Sequence, residues 1–128
     1  MDSSKKHRIL IIEDDRDNMD LIVYMMQRQG YSVLEAYDGL EGLEIARREL
    51  PDLILLDLAM PEMDGWTVAK ILKSDPATQH INIVVVTVRS LPEDRRRAME
   101  AGVDAYVSKP MSMPQLAEAV AKFLPKST

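Results

Sequence analysis

Four of the five short apolar runs in this chain stop on an acid, a hydroxyl or an ammonium. Ile9-Leu10-Ile11-Ile12 runs into Glu13-Asp14-Asp15, and Leu53-Ile54-Leu55-Leu56 into Asp57. Ile81-Asn82-Ile83-Val84-Val85-Val86 runs into Thr87, and Ala105-Tyr106-Val107-Ser108 into Lys109-Pro110. The fifth run is Ser32-Val33-Leu34-Glu35-Ala36. Short runs rich in Ile, Leu and Val with little polar alternation read as strands buried on both faces. Each gap between them is long enough for a helical crossover, so the strands are expected to lie parallel with helices on both sides. Right-handed crossovers then give an α/β, doubly wound, three-layer fold.

The helices carry their own punctuation. One is expected over about 16–29, closed by Gly30. A second opens at Asp38, with Glu41 as capping-box partner, and stops before Pro51. A third spans about 66–73, ahead of Asp75-Pro76. A fourth opens with a capping box of Ser90 and Glu93 and ends at Gly102. The last covers about 113–124 and stops at Pro125. No linker, repeat or low-complexity tract interrupts this order, so residues 1–128 are expected to form a single domain with its core over about 8–124.

Composition narrows the function. The chain has no cysteine, which excludes thiol catalysis and thiolate metal sites and fits a cytoplasmic location. Its formal charge of −5 argues against general binding to nucleic acid, and Arg95-Arg96-Arg97 reads as a solvated helix face. No apolar run is long enough to span a membrane, and from the polar start no secretory signal is expected. His7 and His80 read as surface residues.

In an open parallel sheet, ligands bind beyond the carboxyl ends of the strands, where strand order reverses. That rim gathers Glu13, Asp14, Asp15, Asp57, Thr87 and Lys109 from distant parts of the sequence. Clustered carboxylates repel unless a cation or a proton relieves them, and Mg2+ suits an all-oxygen site that keeps some waters. A divalent ion beside carboxylates, with a hydroxyl and an ammonium opposite, describes phosphoryl transfer. Asp57 is the expected nucleophile, since carboxylates form aspartyl phosphates.

Taken in order, Ile9 to Asp14, Leu55-Leu56-Asp57, Met60-Pro61-Glu62-Met63-Asp64-Gly65, Val86-Thr87 and Tyr106-Val107-Ser108-Lys109-Pro110 resemble the receiver domain of bacterial two-component response regulators. The resemblance covers about 8–124 and implies a flavodoxin-like five-stranded sheet of order 2-1-3-4-5. It implies that Asp57 accepts a phosphoryl group and that Glu13 and Asp14 organise Mg2+, with the Ala59 carbonyl completing the protein ligands. Lys109 is expected on one phosphoryl oxygen and the Thr87 hydroxyl on another. Tyr106 is expected to swing inward as Thr87 moves, and the Lys109–Pro110 peptide to be cis. The implied donor is a sensor histidine kinase or a histidine phosphotransfer protein. The implied output is a protein contact on the fourth helix, fifth strand and fifth helix, with no enzymatic activity beyond the domain's own phosphoryl transfer and dephosphorylation. With only four residues after Leu124, output is expected to run through protein contacts rather than an attached output domain.

Two residues depart from the family pattern. Val88 stands where Ala or Gly is usual, and its bulk is expected to slow access of the donor or of the hydrolytic water; equal rates in Val88→Ala would contradict this. Arg89 either steadies the acyl phosphate or lies in solvent. Trp66 reads as packing. On the first helix the family pattern turns Leu21, Ile22 and Met25 inward, leaving Met19, Val23 and Met26 as a patch for a helical bundle carrying phosphohistidine. Three rival readings fit the residues less well. A haloacid-dehalogenase-like phosphatase needs an Asp where Ala59 stands, and a flavodoxin needs a phosphate loop where Glu13-Asp14-Asp15 repels one. A degenerate receiver that binds partners without phosphate has only Val88 in its favour.

Overall fold

The structure is a computed structural model and describes residues 6–124. Strands β1 (Arg8–Ile12), β2 (Ser32–Ala36), β3 (Leu53–Leu56), β4 (Asn82–Thr87) and β5 (Ala105–Ser108) form one sheet in the order β2-β1-β3-β4-β5. All four pairings are parallel. The intervening helices are α1 (Arg16–Arg28), α2 (Gly39–Glu49), α3 (Gly65–Ser74), α4 (Pro92–Glu100) and α5 (Met113–Ala121). Among the described residues no helix is long and apolar enough to cross a membrane.

Strand periodicity divides the core into two layers. Leu10, Ile12, Ile54, Leu56, Ile83 and Val85 face one way and pack with residues of α2, α3 and α4. Ile9, Ile11, Leu53, Leu55, Val84 and Val86 face the other way and pack with α1 and α5. Each such side chain stabilises the fold by roughly 1.5–3 kcal/mol relative to exposure. Burial on both faces holds for β1, β3 and β4 but not for all five strands. β2 and β5 are the sheet edges and their side chains are largely half-buried or exposed, because each has a neighbour on one side only.

The α1 expectation is corrected. Met19 and Met26 are completely buried, together with Ile22 and Met25, against Ile9 and Ile11, whereas Leu21 is 47% exposed. Positions 19, 22 and 26 follow the helical repeat, so the stripe assigned to a docking partner is the stripe that faces the sheet. Charge at Met19 or Met26 would enter the core rather than a partner surface.

Caps also differ from expectation. Asp15 is the N-cap of α1, its Oδ2 accepting from the Asn18 N–H at 2.9 Å. Asp38 caps α2 as expected, accepting from the Glu41 N–H at 2.8 Å, but Glu41 reaches back to the Tyr37 N–H at 2.6 Å. Helix α4 does not use the Ser90–Glu93 box. Pro92 fixes the first helical position, so Leu91 is the N-cap and Asp94 Oδ2 accepts from its N–H at 3.3 Å. Helix α5 ends at Ala121, short of Leu124; its expected stop at Pro125 lies outside the described residues.

Helix α5 opens with a box that the sequence reading missed. Ser112 Oγ accepts from the Gln115 N–H at 3.2 Å, and Gln115 Oε1 accepts from the Ser112 N–H at 2.8 Å. Ser112→Ala is expected to cost about 1 kcal/mol in urea denaturation; an unchanged midpoint would show that the cap contributes nothing.

Candidate phosphoryl-transfer site

The sheet ladder runs one step past the strands and places the chemistry. The Glu13 N–H donates to the Ala36 carbonyl at 3.0 Å, Asp57 N–H to Ile12 at 3.1 Å, and Lys109 N–H to Thr87 at 2.7 Å. Backbone pairing of β1, β3, β4 and β5 thus holds Glu13, Asp57, Thr87 and Lys109 at one rim. This is the point where strand order reverses, between β1 and β3.

Glu13, Asp14 and Asp57 each bring a carboxylate oxygen within 4.8 Å of the others. Asp15, capping α1, is not part of this group. Glu13 and Asp57 are buried and Asp14 is exposed. Lys109 Nζ sits 2.6 Å from Glu13 Oε1 and 3.5 Å from Asp57 Oδ2. Asp57 Oδ1 accepts from the Ala59 N–H at 3.1 Å, and Glu13 Oε2 from the Asp15 N–H at 3.1 Å. Burial pushes the Glu13 carboxyl up from the ordinary carboxylate range to about 7, and the Asp57 charge adds to this, while the Lys109 ammonium pulls it back. Three carboxylates facing one ammonium form an oxygen donor set short of positive charge, which fits a hard divalent cation.

Thr87 is fully buried, and its Oγ1 accepts from the Arg89 N–H at 3.3 Å. Tyr106 is half-buried on β5 and donates from its hydroxyl to the Arg89 carbonyl. The Lys109–Pro110 peptide is cis, as the resemblance implied. Ala59 is exposed at the start of the loop from β3 to α3.

Two contributors went unread in the sequence. Gly65 begins α3 directly against the strand end. A Cβ there would lie 2.4 Å from the Asp57 carbonyl oxygen and 2.6 Å from the Leu58 Cα. Its signal, the Asp64-Gly65 pair, was visible, but the close approach was not. The second is a cleft of roughly 300 Å³ beside Lys109, lined by Asn18, Leu21, Ile22, Val88, Pro110 and Met111. Val88 is 63% exposed there.

Residues 9–121 match the family profile of the response regulator receiver domain. The polar-differentiation response regulator DivK of Brucella anthropi is 38% identical over 116 residues, covering 91% of this chain and 94% of that protein. A chemotaxis protein CheY4 structure from Vibrio cholerae superposes with a TM-score of 0.89 at 24% identity, over 94% of this chain and all of that one. The receiver domain of sensor histidine kinase PA1611 from Pseudomonas aeruginosa, solved with magnesium coordinated in its active-site cleft, superposes with a TM-score of 0.86. It is 27% identical, over 93% of this chain and 98% of that one. With a flavodoxin-like sheet, an acidic strand-end cluster and this match over most of its length, the chain belongs to the response regulator receiver domain family and is a phosphorylation-activated signalling switch rather than a conventional enzyme.

Proposed function

We propose that Asp57 accepts the phosphoryl group, from a sensor histidine kinase or a histidine phosphotransfer protein, and that Glu13, Asp14, Asp57 and the Ala59 carbonyl hold Mg2+. The observation that carries the reading is the convergence of Glu13, Asp14 and Asp57 around the Lys109 ammonium. When bound, the ion supplies positive charge to the oxygens of the transferring group. Asp57 presents a carboxylate oxygen, held in orientation by the Ala59 N–H. Lys109 acts as a point charge on one phosphoryl oxygen. Thr87 turns its hydroxyl to another, giving up its bond from the Arg89 N–H, and Tyr106 follows it inward. The new charge of roughly −1.5 to −2 favours this arrangement over the resting one. The change is read by a downstream protein on the face of α4, β5 and α5.

The cleft of Leu21, Val88 and Pro110 supports donor docking beside the site, in place of the buried Met19 and Met26. Incubation with acetyl phosphate and Mg2+ is expected to add one phosphoryl group by intact mass, with no gain in EDTA. Absence of any gain would favour the phosphate-independent binding module.

Glu13 gives the metal site a pH dependence. Its carboxyl holds a proton up to about 7 in the metal-free fold, and that proton must leave for a cation to bind. Protonation of Glu13 therefore stabilises the metal-free fold at low pH, and this contribution is lost as pH rises through about 7. Mg2+ affinity is expected to climb by up to about tenfold per pH unit below that point and to level off above it. Calorimetric titration across about pH 6 to 8 checks this, and a flat profile would contradict it.

A further inference from the structure

Helices α2 and α3 pack side by side on one face of the sheet, and a furrow runs between them outside the site described above. Near the strand-end rim it opens into a concavity of about 760 Å³, walled by the first half of α2 and by residues 61–63 of the loop from β3 to α3. Farther along lies a second hollow of about 490 Å³, bordered by Lys70, Ile71 and Pro76. Arg47 borders both, and its Nε lies 3.1 Å from Asp75 Oδ2 across the furrow. Leu40, Glu44 and Arg47 follow at i, i+4 and i+7, so one stripe of α2 lines the furrow for about 10 Å. The wall is pre-formed. Gly39 seats α2 on the loop and on α3, since a Cβ there would stand 3.1 Å from Met63 Cβ and 2.9 Å from Val68 Cγ2.

A lone exposed leucine needs no explanation, but Leu40, 66% exposed, stands at the mouth of a concavity floored by Leu43 and Met63. The rim of that concavity is acidic. Asp38 is spent as the α2 cap and Glu41 on the Tyr37 N–H. Glu44 and Glu62 are exposed and pair with no cation among the described residues. An apolar floor with unpaired carboxylates above it complements a helix that is apolar on one side and basic at its flanks. The backbone groups of α2 and α3 are bonded within the helices, so an extended segment finds no ladder to join there. The basic helix of this chain itself, α4, is a poor occupant. Arg95 lies 4.6 Å from the Tyr106 ring and Arg96 4.0 Å from Glu100. Arg97 shares the Trp66 ring with Arg89, which also pairs with Asp94 at 3.4 Å. Two copies, each of formal charge −5, also repel.

We propose that the furrow between α2 and α3 is a docking surface for a basic amphipathic helix of another protein. The apolar stripe of that helix covers Leu40, Leu43 and Met63, and its lysines or arginines meet Glu44 and Glu62. The contact leaves open the Asp57 rim, the cleft beside Lys109 and the face of α4, β5 and α5. One protein therefore holds the chain while others exchange phosphate with it or read it, which makes the domain an adaptor as well as a switch. Docking needs no phosphate on Asp57.

The test titrates the isotope-labelled full chain with a synthetic helical peptide whose leucine stripe is flanked by lysines, and with the same peptide carrying glutamate for lysine. The lysine peptide is expected to move the backbone amide signals of α2 and of residues 61–63 to saturation, and the glutamate peptide to leave them in place. Glu44→Lys combined with Glu62→Lys is expected to weaken the lysine peptide about tenfold, and Leu40→Ser several-fold. Each of these side chains is exposed, so the variants should melt as wild type does. Absence of saturable movement with the lysine peptide would overturn the proposal, as would equal binding of the two peptides or movement confined to Glu13, Asp14 and Asp57. Movement of the same signals on concentrating the chain alone would assign the furrow to a second copy and overturn a foreign partner. A chain that binds the lysine peptide but takes up no phosphate would defeat the reading of Asp57 as acceptor and leave the docking surface standing.

Discussion

Asp57→Asn is expected to abolish phosphoryl uptake while making the metal-free domain more stable. The two effects have one origin. Asp57 and Glu13 are both buried and both face Lys109, which lies 0.9 Å closer to Glu13 than to Asp57, 2.6 against 3.5 Å. The Asp57 charge helps to raise the Glu13 carboxyl. An amide of the same shape removes that repulsion and still accepts from the Ala59 N–H. The gain, on the order of 1–2 kcal/mol, belongs to pH above about 7, where Glu13 is otherwise forced to ionise, and fades below it. Added Mg2+ is expected to narrow or reverse the difference, because wild type has the additional carboxylate to bind it. Urea denaturation at about pH 8 and pH 6, with and without Mg2+, reads all of this. A metal-free Asp57→Asn protein less stable than wild type at the higher pH would show that the carboxylates do not repel.

Gly65→Ala is expected to damage both stability and phosphorylation. The added methyl would stand 2.4 Å from the Asp57 carbonyl oxygen and 2.6 Å from the Leu58 Cα. Both atoms are backbone, so no side chain can rotate away. Either α3 shifts outward or the end of β3 shifts, and the latter carries the nucleophile. Overpacking of this kind costs about 3 kcal/mol, lowering the Tm of a domain of this size by roughly 10 °C. The rate of phosphoryl uptake should fall with it. Gly102→Ala serves as a control. Gly102 has φ +99 and a Cβ there would meet the Lys73 Cγ at 3.0 Å, far from Asp57 in sequence and on a flexible side chain. That variant should cost about 1 kcal/mol and leave uptake unchanged. Native-like melting and native-like uptake in Gly65→Ala would contradict the tight seat of α3.

Strand-end chemistry was legible because it is written in local runs. Each apolar run names a strand, and the next residue then falls at the rim. Edge position is not written in the runs themselves, since Val33 and Val107 are as β-branched as Val84; it came only with the strand order that the family resemblance implies, which the sheet has. On α1, Ile22 and Met25 lie inward as expected, but Leu21, Met19 and Met26 were assigned to the wrong sides, because apolar residues at 19, 21, 22, 23, 25 and 26 cover most of the helix circumference. Asp15 was grouped with the acids of the rim, although its spacing to Asn18 suits the cap it makes. The Ser112–Gln115 box was open to the same rule that found Asp38. Arg89 against Trp66 and Asp94 could not be read at all, for those residues meet only when α3 and α4 pack on one face of the sheet. Ala59, Thr87 and Tyr106 lie on the β3–α3 loop, at the end of β4 and on β5.

Asp57, and no other acid of the cluster, is the residue proposed to carry the phosphoryl group. Borohydride reduces an acyl phosphate to the alcohol and so converts a phosphorylated Asp to homoserine. Peptide mapping of the chain after Mg2+-dependent phosphorylation and borohydride reduction should find homoserine at position 57. Reduction at Asp14, Asp15 or Asp64, the corresponding reduced product at Glu13, or phosphorylated protein with position 57 untouched would contradict the account.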